Sequence, residues 1–113
     1  MIIAFDFDET VVKWKGDGLM LPVKNVIDFL KFRKEMGDTL ILWTCREGEA
    51  LDWAVKKLIE WEIPFDYVNE NAKEIIDGGK NPKKIEADLY IDSRSINHIH
   101  EWPRLEFLKD KYL

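Results

Sequence analysis

The sequence lacks the features that would place it outside ordinary globular proteins. Its 113 residues contain one cysteine, Cys45, which excludes an internal disulfide and a zinc site built from thiolates. No apolar run approaches the roughly 20 residues that cross a bilayer. Residues 1–5 meet Asp6 too soon to form the apolar region of a signal peptide. We therefore expect a cytoplasmic protein with no membrane partner.

The sequence also has fewer basic than acidic residues. The chain has 17 Lys and Arg against 22 Asp and Glu, a formal net charge of −5, which argues against nucleic-acid binding as its main role. What the chain does have is 46% apolar and 12% aromatic residues, enough for a core, and this excludes a disordered tail. There is no repeat, linker or low-complexity block. The length predicts one domain, residues 1–113.

Short apolar runs alternate with amphipathic segments along the chain. The runs at residues 2–5, 39–43 and 89–91 are typical of strands covered on both faces, and residues 65–68 are a weaker candidate. This alternation predicts an α/β protein, a three-layer Rossmann-like sandwich with a central, mostly parallel sheet. We expect the first strand to lie in the middle of that sheet.

The amphipathic segments predict the helices. One helix face runs from Val23 to Lys34, with Pro22 in its first turn and Gly37 at its end. A second runs from Leu51 to Glu62 and ends before Ile63-Pro64. A third stretch, Pro103 to Leu113, is expected to pack the C-terminus against the body.

Two segments interrupt the alternation, and neither is long enough for a cap domain. Residues 11–22 predict a β-hairpin flap that turns at Gly16-Asp17-Gly18. Residues 69–84 are polar and predict a functional loop with at most one short helix. Trp14, in the flap, either stacks on a substrate or pins the flap to the body.

Polar side chains follow the ends of all three main strands. Asp6 and Asp8 alternate after the first strand and therefore point to one side, about 6–7 Å apart along an extended chain. Thr44 follows the second strand closely, and Asp92 follows the third directly. Because ligands collect at the carboxyl ends of parallel strands, these residues and a nearby lysine predict a site for a divalent cation and a phosphoryl group.

These residues resemble the motifs of the haloacid-dehalogenase-like phosphohydrolases. Residues 6–10, Asp-Phe-Asp-Glu-Thr, resemble that superfamily's Asp-x-Asp-x-Thr signature, and Thr44 resembles its second motif. Lys84, four residues before Asp88, is similar to the third motif, and Asp92 to the acidic fourth. The likeness covers nearly the whole chain and is greatest to small capless members with a Trp-Thr/Ser-x-Arg-Glu-Gly stretch, here residues 43–48.

The resemblance implies a magnesium-dependent phosphatase that hydrolyses a phosphate monoester. Asp6 would be the nucleophile that forms an aspartyl-phosphate, and Asp8 the general acid and base, which requires a carboxyl held near neutrality. Asp6 and Asp92, with the backbone carbonyl of Asp8, would hold Mg²⁺. Thr44 and Lys84 would bind the phosphoryl group. The substrate is either a small molecule or a macromolecular phosphate, and a partner subunit in a homo-oligomer would close the open site.

Two departures from the motifs affect these expectations. Ser93 stands where the superfamily often has a second acid, so we expect weaker magnesium binding and slower catalysis. Three neighbouring lysines compete for the phosphate-binding role. Lys84 is the first choice because of its spacing from Asp88 and Asp92 in the sequence, and Lys83 is the next choice before Lys80.

Two other functions remain open at this stage. The first is a receiver domain, whose phosphoacceptor would follow a third strand near the midpoint of the chain, where this sequence predicts a helix. The second is a catalytically weak binding module of the same fold, for which Ser93 is the support. Cys45 is expected to be a small packing residue, and Trp53, Trp61 and Trp102 packing residues. His98 and His100 are expected in a loop or at a sheet edge.

Overall fold

The computed structural model describes residues 1–94 and shows an α/β fold. In chain order its elements are β1 (Ile2–Phe5), β2 (Val12–Trp14), β3 (Met20–Pro22), α1 (Lys24–Glu35), β4 (Thr39–Leu42), α2 (Gly48–Glu60), β5 (Tyr67–Val68), α3 (Lys73–Asp77) and β6 (Leu89–Ile91).

Four strands form a parallel sheet in the order β5-β4-β1-β6. The three main apolar runs and the weaker candidate all form strands of this sheet, and β1 is an inner strand as predicted. β1 is buried along its whole length because the sheet has apolar cover on both faces. The carboxyl ends of β1, β4 and β6 therefore meet at one edge.

Each face of the sheet has its own apolar cluster. On one face α1 and α2 pack against Ile3, Phe5, Leu40, Leu42 and Ile91. On the other face a smaller cluster joins Ile2, Ala4 and Ile41 of the sheet to Ala72 and Ile85 of the segment around α3. Alternate residues of β1 thus point to opposite clusters, which follows from the two-residue period of a strand.

The predicted hairpin forms, and it changes one boundary. β2 and β3 pair antiparallel, and Asp17 and Gly18 both have positive φ at the turn, the conformation for which the glycine is suited. Pro22, expected in the first turn of α1, lies in β3 opposite Val12 instead. The prediction was wrong because a short two-stranded ribbon has free edges that tolerate proline. α1 ends as expected before Gly37, whose φ is +89°.

The polar loop after β5 contains only the short helix α3, as expected, and is organised around one buried side chain. The Asn71 amide donates to the carbonyl of Pro82 at 3.0 Å and accepts from the N–H of Glu86 at 2.7 Å. Asn71 is only 2% exposed. It therefore joins the start of the loop to the segment that leads into β6.

Replacing Asn71 with alanine should cost about 1–3 kcal/mol of unfolding free energy, because it leaves the Glu86 N–H and the Pro82 carbonyl without their partner. Urea unfolding followed by circular dichroism measures the loss. Asn25→Ala, at an exposed position of α1, is the matched control and should change stability by less than about 0.5 kcal/mol. Equal effects of the two substitutions would contradict the role assigned to Asn71.

A buried ion pair lies at the opposite end of the sheet from the carboxyl edge. Arg33 of α1 pairs with Asp38, and both side chains are almost fully buried. The amino group of Met1 also contacts Asp38, at 2.9 Å. The pair links the end of α1 to the start of β1 and β4.

The stretch from Pro103 to Leu113, His98, His100 and Trp102 lie outside the described residues. Among residues 1–94, no helix is both long and apolar enough to cross a membrane.

Candidate active site

The end of β1 is fixed between its two neighbours. The N–H of Asp6 donates to the carbonyl of Ile91 at 3.1 Å, and the N–H of Trp43 donates to the carbonyl of Phe5 at 2.8 Å. These bonds continue the parallel ladders of β6 and β4 for one more residue. Asp6 is therefore held between the ends of the strands that carry Asp92 and Thr44.

The chain then turns tightly around Phe7. The carbonyl of Phe7 accepts from the N–H groups of Thr10, Val11 and Val12, while the buried Phe7 ring packs in the core. The hydroxyl of Thr10 is fully buried and accepts from the N–H of Ser93 at 3.3 Å. This contact ties the turn after β1 to the turn after β6, and so holds the two acidic segments together.

A cleft of about 440 Å³ opens at this edge of the sheet. Four of the five predicted site residues line it, as do Ser93 and four further residues that include two arginines. The lining residues are Asp6, Asp8, Glu9, Thr44, Cys45, Arg46, Asp92, Ser93 and Arg94. The cleft thus combines four carboxylates with two guanidinium groups.

Asp6 occupies the less solvated position. Burial raises its pKa to about 6, and the negative charges of Asp92 and Asp8 add to the shift. The backbone N–H of Phe7, 2.7 Å from Asp6 Oδ1, and the Thr44 hydroxyl act in the opposite direction. The ionised form of Asp6 is destabilised by the negative charges of Asp8 and Asp92, and a bound cation would offset that repulsion.

Asp8 has the opposite environment, contrary to the expectation of a carboxyl held near neutrality. Arg46 Nε and Nη2 donate to its two oxygens at 2.7 and 2.8 Å, a bidentate ion pair. The indole N–H of Trp14 donates a third bond at 3.0 Å. The hydrogen bonds from Arg46 lower the pKa of Asp8, with a smaller contribution from Trp14. Asp8 is therefore an anion in the free protein.

Trp14 pins the hairpin to the body. Besides its bond to Asp8, its ring stacks on Trp53 of α2 with centroids 6.2 Å apart and planes 25° apart. Trp53 also meets the Phe7 ring edge-on at 6.0 Å. Of the two interpretations of Trp14, the pinning contact is the one present in this structure.

Thr44 sits on a short loop that another side chain supports. The N–H of Thr44 donates to Asn69 Oδ1 at 2.8 Å, and Asn69 in turn donates its own N–H to Leu42 at the end of β4. Asn69 has a φ of +53°, which asparagine adopts more readily than most residues. Sequence analysis missed Asn69, because nothing in a polar loop shows which residue turns back.

Lys84 does not line the cleft. Its ammonium group lies over the ring of Tyr90, 5.0 Å from the centroid, and Tyr90 packs against Trp43. Cation–π attraction to this half-buried ring thus holds Lys84 beside β6. Lys80 and Lys83 are exposed and do not line the cleft either. The positive charge in the cleft comes from Arg46 and Arg94, which sequence analysis did not select, although Arg46 lies only two residues after Thr44.

Cys45 was expected to be a small packing residue, and this was wrong. The thiol is exposed at the cleft because the chain has already left β4 at Leu42. Trp53, expected to be a packing residue, does pack against other aromatic side chains, although it is 37% exposed.

A solved structure of a conserved protein from Bacteroides thetaiotaomicron is similar to this chain. The two are 31% identical, the match covers 100% of this chain and 93% of that one, and the TM-score is 0.78. This chain belongs to the family of that conserved protein. No protein-family model and no curated protein matches the chain.

In this member of the family, the cleft offers hard oxygen donors suited to magnesium. Within residues 1–94 no three His, Cys, Asp or Glu side chains form a group able to hold a metal ion. The carboxylates of Asp6 and Asp92 both line the cleft. Mg²⁺ commonly takes one or two carboxylates and completes its shell with water and phosphate oxygens, so this set fits it.

Because its pKa is raised, Asp6 lowers the stability of this protein at neutral pH. The folded pKa, about 6, lies above the ordinary value of 3.8, so the folded state binds more protons between these values. Without magnesium, the contribution of Asp6 to the unfolding free energy falls as pH rises through that window. Asp6→Asn should therefore be more stable than the parent at about pH 8, by on the order of 1 kcal/mol after solvent screening. The gain should vanish near pH 4.

Urea unfolding at both pH values, with a chelator present, measures this difference. Asp52→Asn, at an exposed position of α2, serves as the control and should show no such pH-dependent gain. An Asp6→Asn protein that is no more stable than its parent at pH 8 would contradict the prediction.

Proposed function

We propose that this protein is a magnesium-dependent phosphatase that hydrolyses a phosphate monoester through an aspartyl-phosphate on Asp6. One observation carries the proposal. Asp6, Asp8, Thr44 and Asp92, from the ends of three parallel strands, line one cleft. We further propose that the fold is a doubly wound, Rossmann-like sandwich over residues 1–113, and that the family belongs to the haloacid-dehalogenase-like superfamily.

The sheet order supports this fold assignment over a receiver domain. The order β5-β4-β1-β6 corresponds to 3-2-1-4 when the main strands are counted along the chain. Receiver domains have the order 2-1-3-4-5, in which the second strand lies at the sheet edge. Here the second main strand, β4, is an inner strand. The order reverses beside β1, between β1 and β6, where an open sheet forms its ligand crevice.

Asp6 is suited to the role of nucleophile. Its carboxylate oxygen would attack phosphorus as the bond from phosphorus to the leaving oxygen breaks, and that oxygen would take a proton from Asp8. Water would then attack phosphorus, lose its proton to Asp8, and release phosphate and the Asp6 carboxylate. When bound, Mg²⁺ supplies positive charge that offsets the repulsion between the acidic cleft and the phosphate.

Thr44 supports the same reaction from the neighbouring strand. Its hydroxyl accepts from the N–H of Arg46 at 3.2 Å and donates its own proton to the Asp6 carboxylate, which lowers the pKa of Asp6. A phosphoryl oxygen bound beside Asp6 would accept a hydrogen bond from this hydroxyl in its place. The Thr44 hydroxyl thereby orients the group that Asp6 attacks.

Asp8 can act as an acid only after its contacts change. In the free protein it accepts three hydrogen bonds, two of them from Arg46. Before it can donate to a leaving group, Asp8 must lose its contacts with Arg46 and take up a proton from solvent; the attacking water returns a proton to it in the second step. Lys84 would reach a phosphoryl group only by leaving the Tyr90 ring, so we assign it a secondary role.

The experiment that tests the function is steady-state release of phosphate from a panel of phosphorylated metabolites and nucleic-acid ends. We expect turnover that requires magnesium and stops on chelation. No release from any substrate would favour a binding module of this fold, for which Ser93 in the cleft is the supporting feature. A lasting acyl-phosphate after incubation with a small phosphodonor, without turnover, would favour a receiver.

We also propose a cytoplasmic location, because the exposed thiol of Cys45 has no internal partner for a disulfide. The cleft is open to solvent and has no cap domain beside it in residues 1–94. A second copy of the chain is the proposed means of closing it over a small substrate. Size-exclusion chromatography with and without phosphate tests that association.

A further inference from the structure

Arg46 is a cation held in place within an acidic cleft. Its side chain is 21% exposed and lines the cleft together with Asp6, Asp8 and Asp92. The other lining arginine, Arg94, is exposed. Arg46 is therefore the better ordered of the two positive groups that a bound anion would meet there.

Three contacts besides the ion pair fix the Arg46 guanidinium. It lies over the Phe7 ring at 5.2 Å and over the Trp53 ring at 5.3 Å, measured to the centroids. Its Nη1 donates to the carbonyl of Ala50 at 3.2 Å, inside α2. These contacts do not involve Asp8, so they would persist if the carboxylate were exchanged for another anion.

The guanidinium presents Nε and Nη2 to Asp8 as a two-pronged donor. The same pair of parallel N–H groups matches two oxygens of a phosphoryl group equally well. A phosphoryl dianion carries more charge than a carboxylate, so it can compete for the same two donors. Because Asp8 lines the same cleft, the exchange needs a local shift of a side chain and no change in the fold.

We propose that Arg46 is a phosphate-binding residue that Asp8 occupies in the free protein. When a phosphoryl group enters the cleft, the Nε and Nη2 donors of Arg46 transfer from Asp8 to the phosphoryl oxygens. The exchange releases Asp8 from its two hydrogen bonds with Arg46 when the substrate is bound. This inference rests on the proposed function only in that the cleft takes a phosphoryl group.

A different role for Arg46 makes the opposite prediction. If Arg46 only neutralises Asp8, it never touches phosphate, and removing it exposes the phosphate to the charge of Asp8. The two roles separate in a protein in which Asp8 is already neutral. There, a phosphate-binding Arg46 still contributes affinity, whereas an Arg46 that only neutralises Asp8 contributes none.

The test is the affinity for inorganic phosphate, measured by calorimetric titration in the presence of magnesium. The proteins are the parent, Asp8→Asn, Arg46→Ala and the double variant. We expect Arg46→Ala to weaken phosphate binding about tenfold or more in the Asp8→Asn background, since two charge-assisted hydrogen bonds are lost. We also expect Asp8→Asn to strengthen binding more when Arg46 is present than when it is absent.

Unchanged phosphate affinity on adding Arg46→Ala to Asp8→Asn would overturn the inference, as would a parent protein that binds no phosphate. Arg46→Lys keeps the charge without the two-pronged geometry and should recover only part of the affinity. Thermal unfolding of each variant verifies that it is folded. The readout requires no turnover, so Arg46-dependent phosphate binding in a protein that hydrolyses no ester would refute the proposed function and leave this inference intact.

Discussion

Asp6→Asn should reduce magnesium-dependent phosphate release by on the order of a thousandfold or more, because an amide cannot form the acyl-phosphate. The rate is measured on the best substrate of the panel at saturating magnesium. Asparagine keeps the size of the side chain and an oxygen that can accept from the Phe7 N–H, which Asp6 Oδ1 does at 2.7 Å. The loss should therefore appear in kcat and not in folding.

The matched control is Asp52→Asn, which makes the same chemical change at an exposed position of α2 and should leave the rate within about twofold. A second check is incorporation of labelled phosphate into acid-quenched protein, expected for the parent and absent from Asp6→Asn. An Asp6→Asn protein as active as its parent would refute the assignment of the nucleophile.

Asp38→Ala should lower the unfolding free energy by about 3–5 kcal/mol, the largest effect on stability that we expect. Asp38 is buried between Arg33 and the amino group of Met1. Removing the carboxylate leaves the guanidinium of Arg33 buried without its counter-charge. The loss is measured by urea unfolding at neutral pH.

The Lys24–Asp28 pair of α1 provides the control on the same helix. That pair is exposed, with Lys24 83% accessible, so Asp28→Ala should cost no more than about 1 kcal/mol. A loss of similar size at both positions would contradict the importance given to burial. The double variant Arg33→Met with Asp38→Leu should recover most of the stability, because apolar side chains of similar size can replace a buried ion pair.

The sheet was predictable because its strands are buried on both faces and so appear as continuous apolar runs. The positions of α1 and α2 were predictable from the regular spacing of their apolar residues, but the residues at which they begin and end were less predictable. α2 begins at Gly48, three residues before the predicted Leu51, since the first helical turn carries few apolar side chains. Pro22 was misplaced because local propensity cannot show a strand that forms only by pairing with β2.

The acidic half of the site was also predictable, because Asp6 and Asp92 each follow a strand directly and Asp8 comes two residues after Asp6. The assignment of charge states was not. Which carboxylate is desolvated depends on its depth in the cleft, and Asp6 is the more deeply buried of the two aspartates. The pKa of Asp8 is lowered by Arg46, which lies 38 positions away in the sequence. Lys84 was chosen by its spacing from Asp88. Its side-chain direction depends on Tyr90, which spacing does not reveal.

The pairing of β1 with β6 has a consequence for when the cleft can exist. Asp92 follows Asp6 by 92 − 6 = 86 positions, and it reaches the cleft only through the β1–β6 ladder. A nascent chain that has been synthesised through Thr44 already carries Asp6, Asp8 and Thr44 but lacks Asp92. Contacts so distant along the chain form late in folding because closing long loops is entropically costly. The complete cleft can therefore form only once synthesis has passed residue 92.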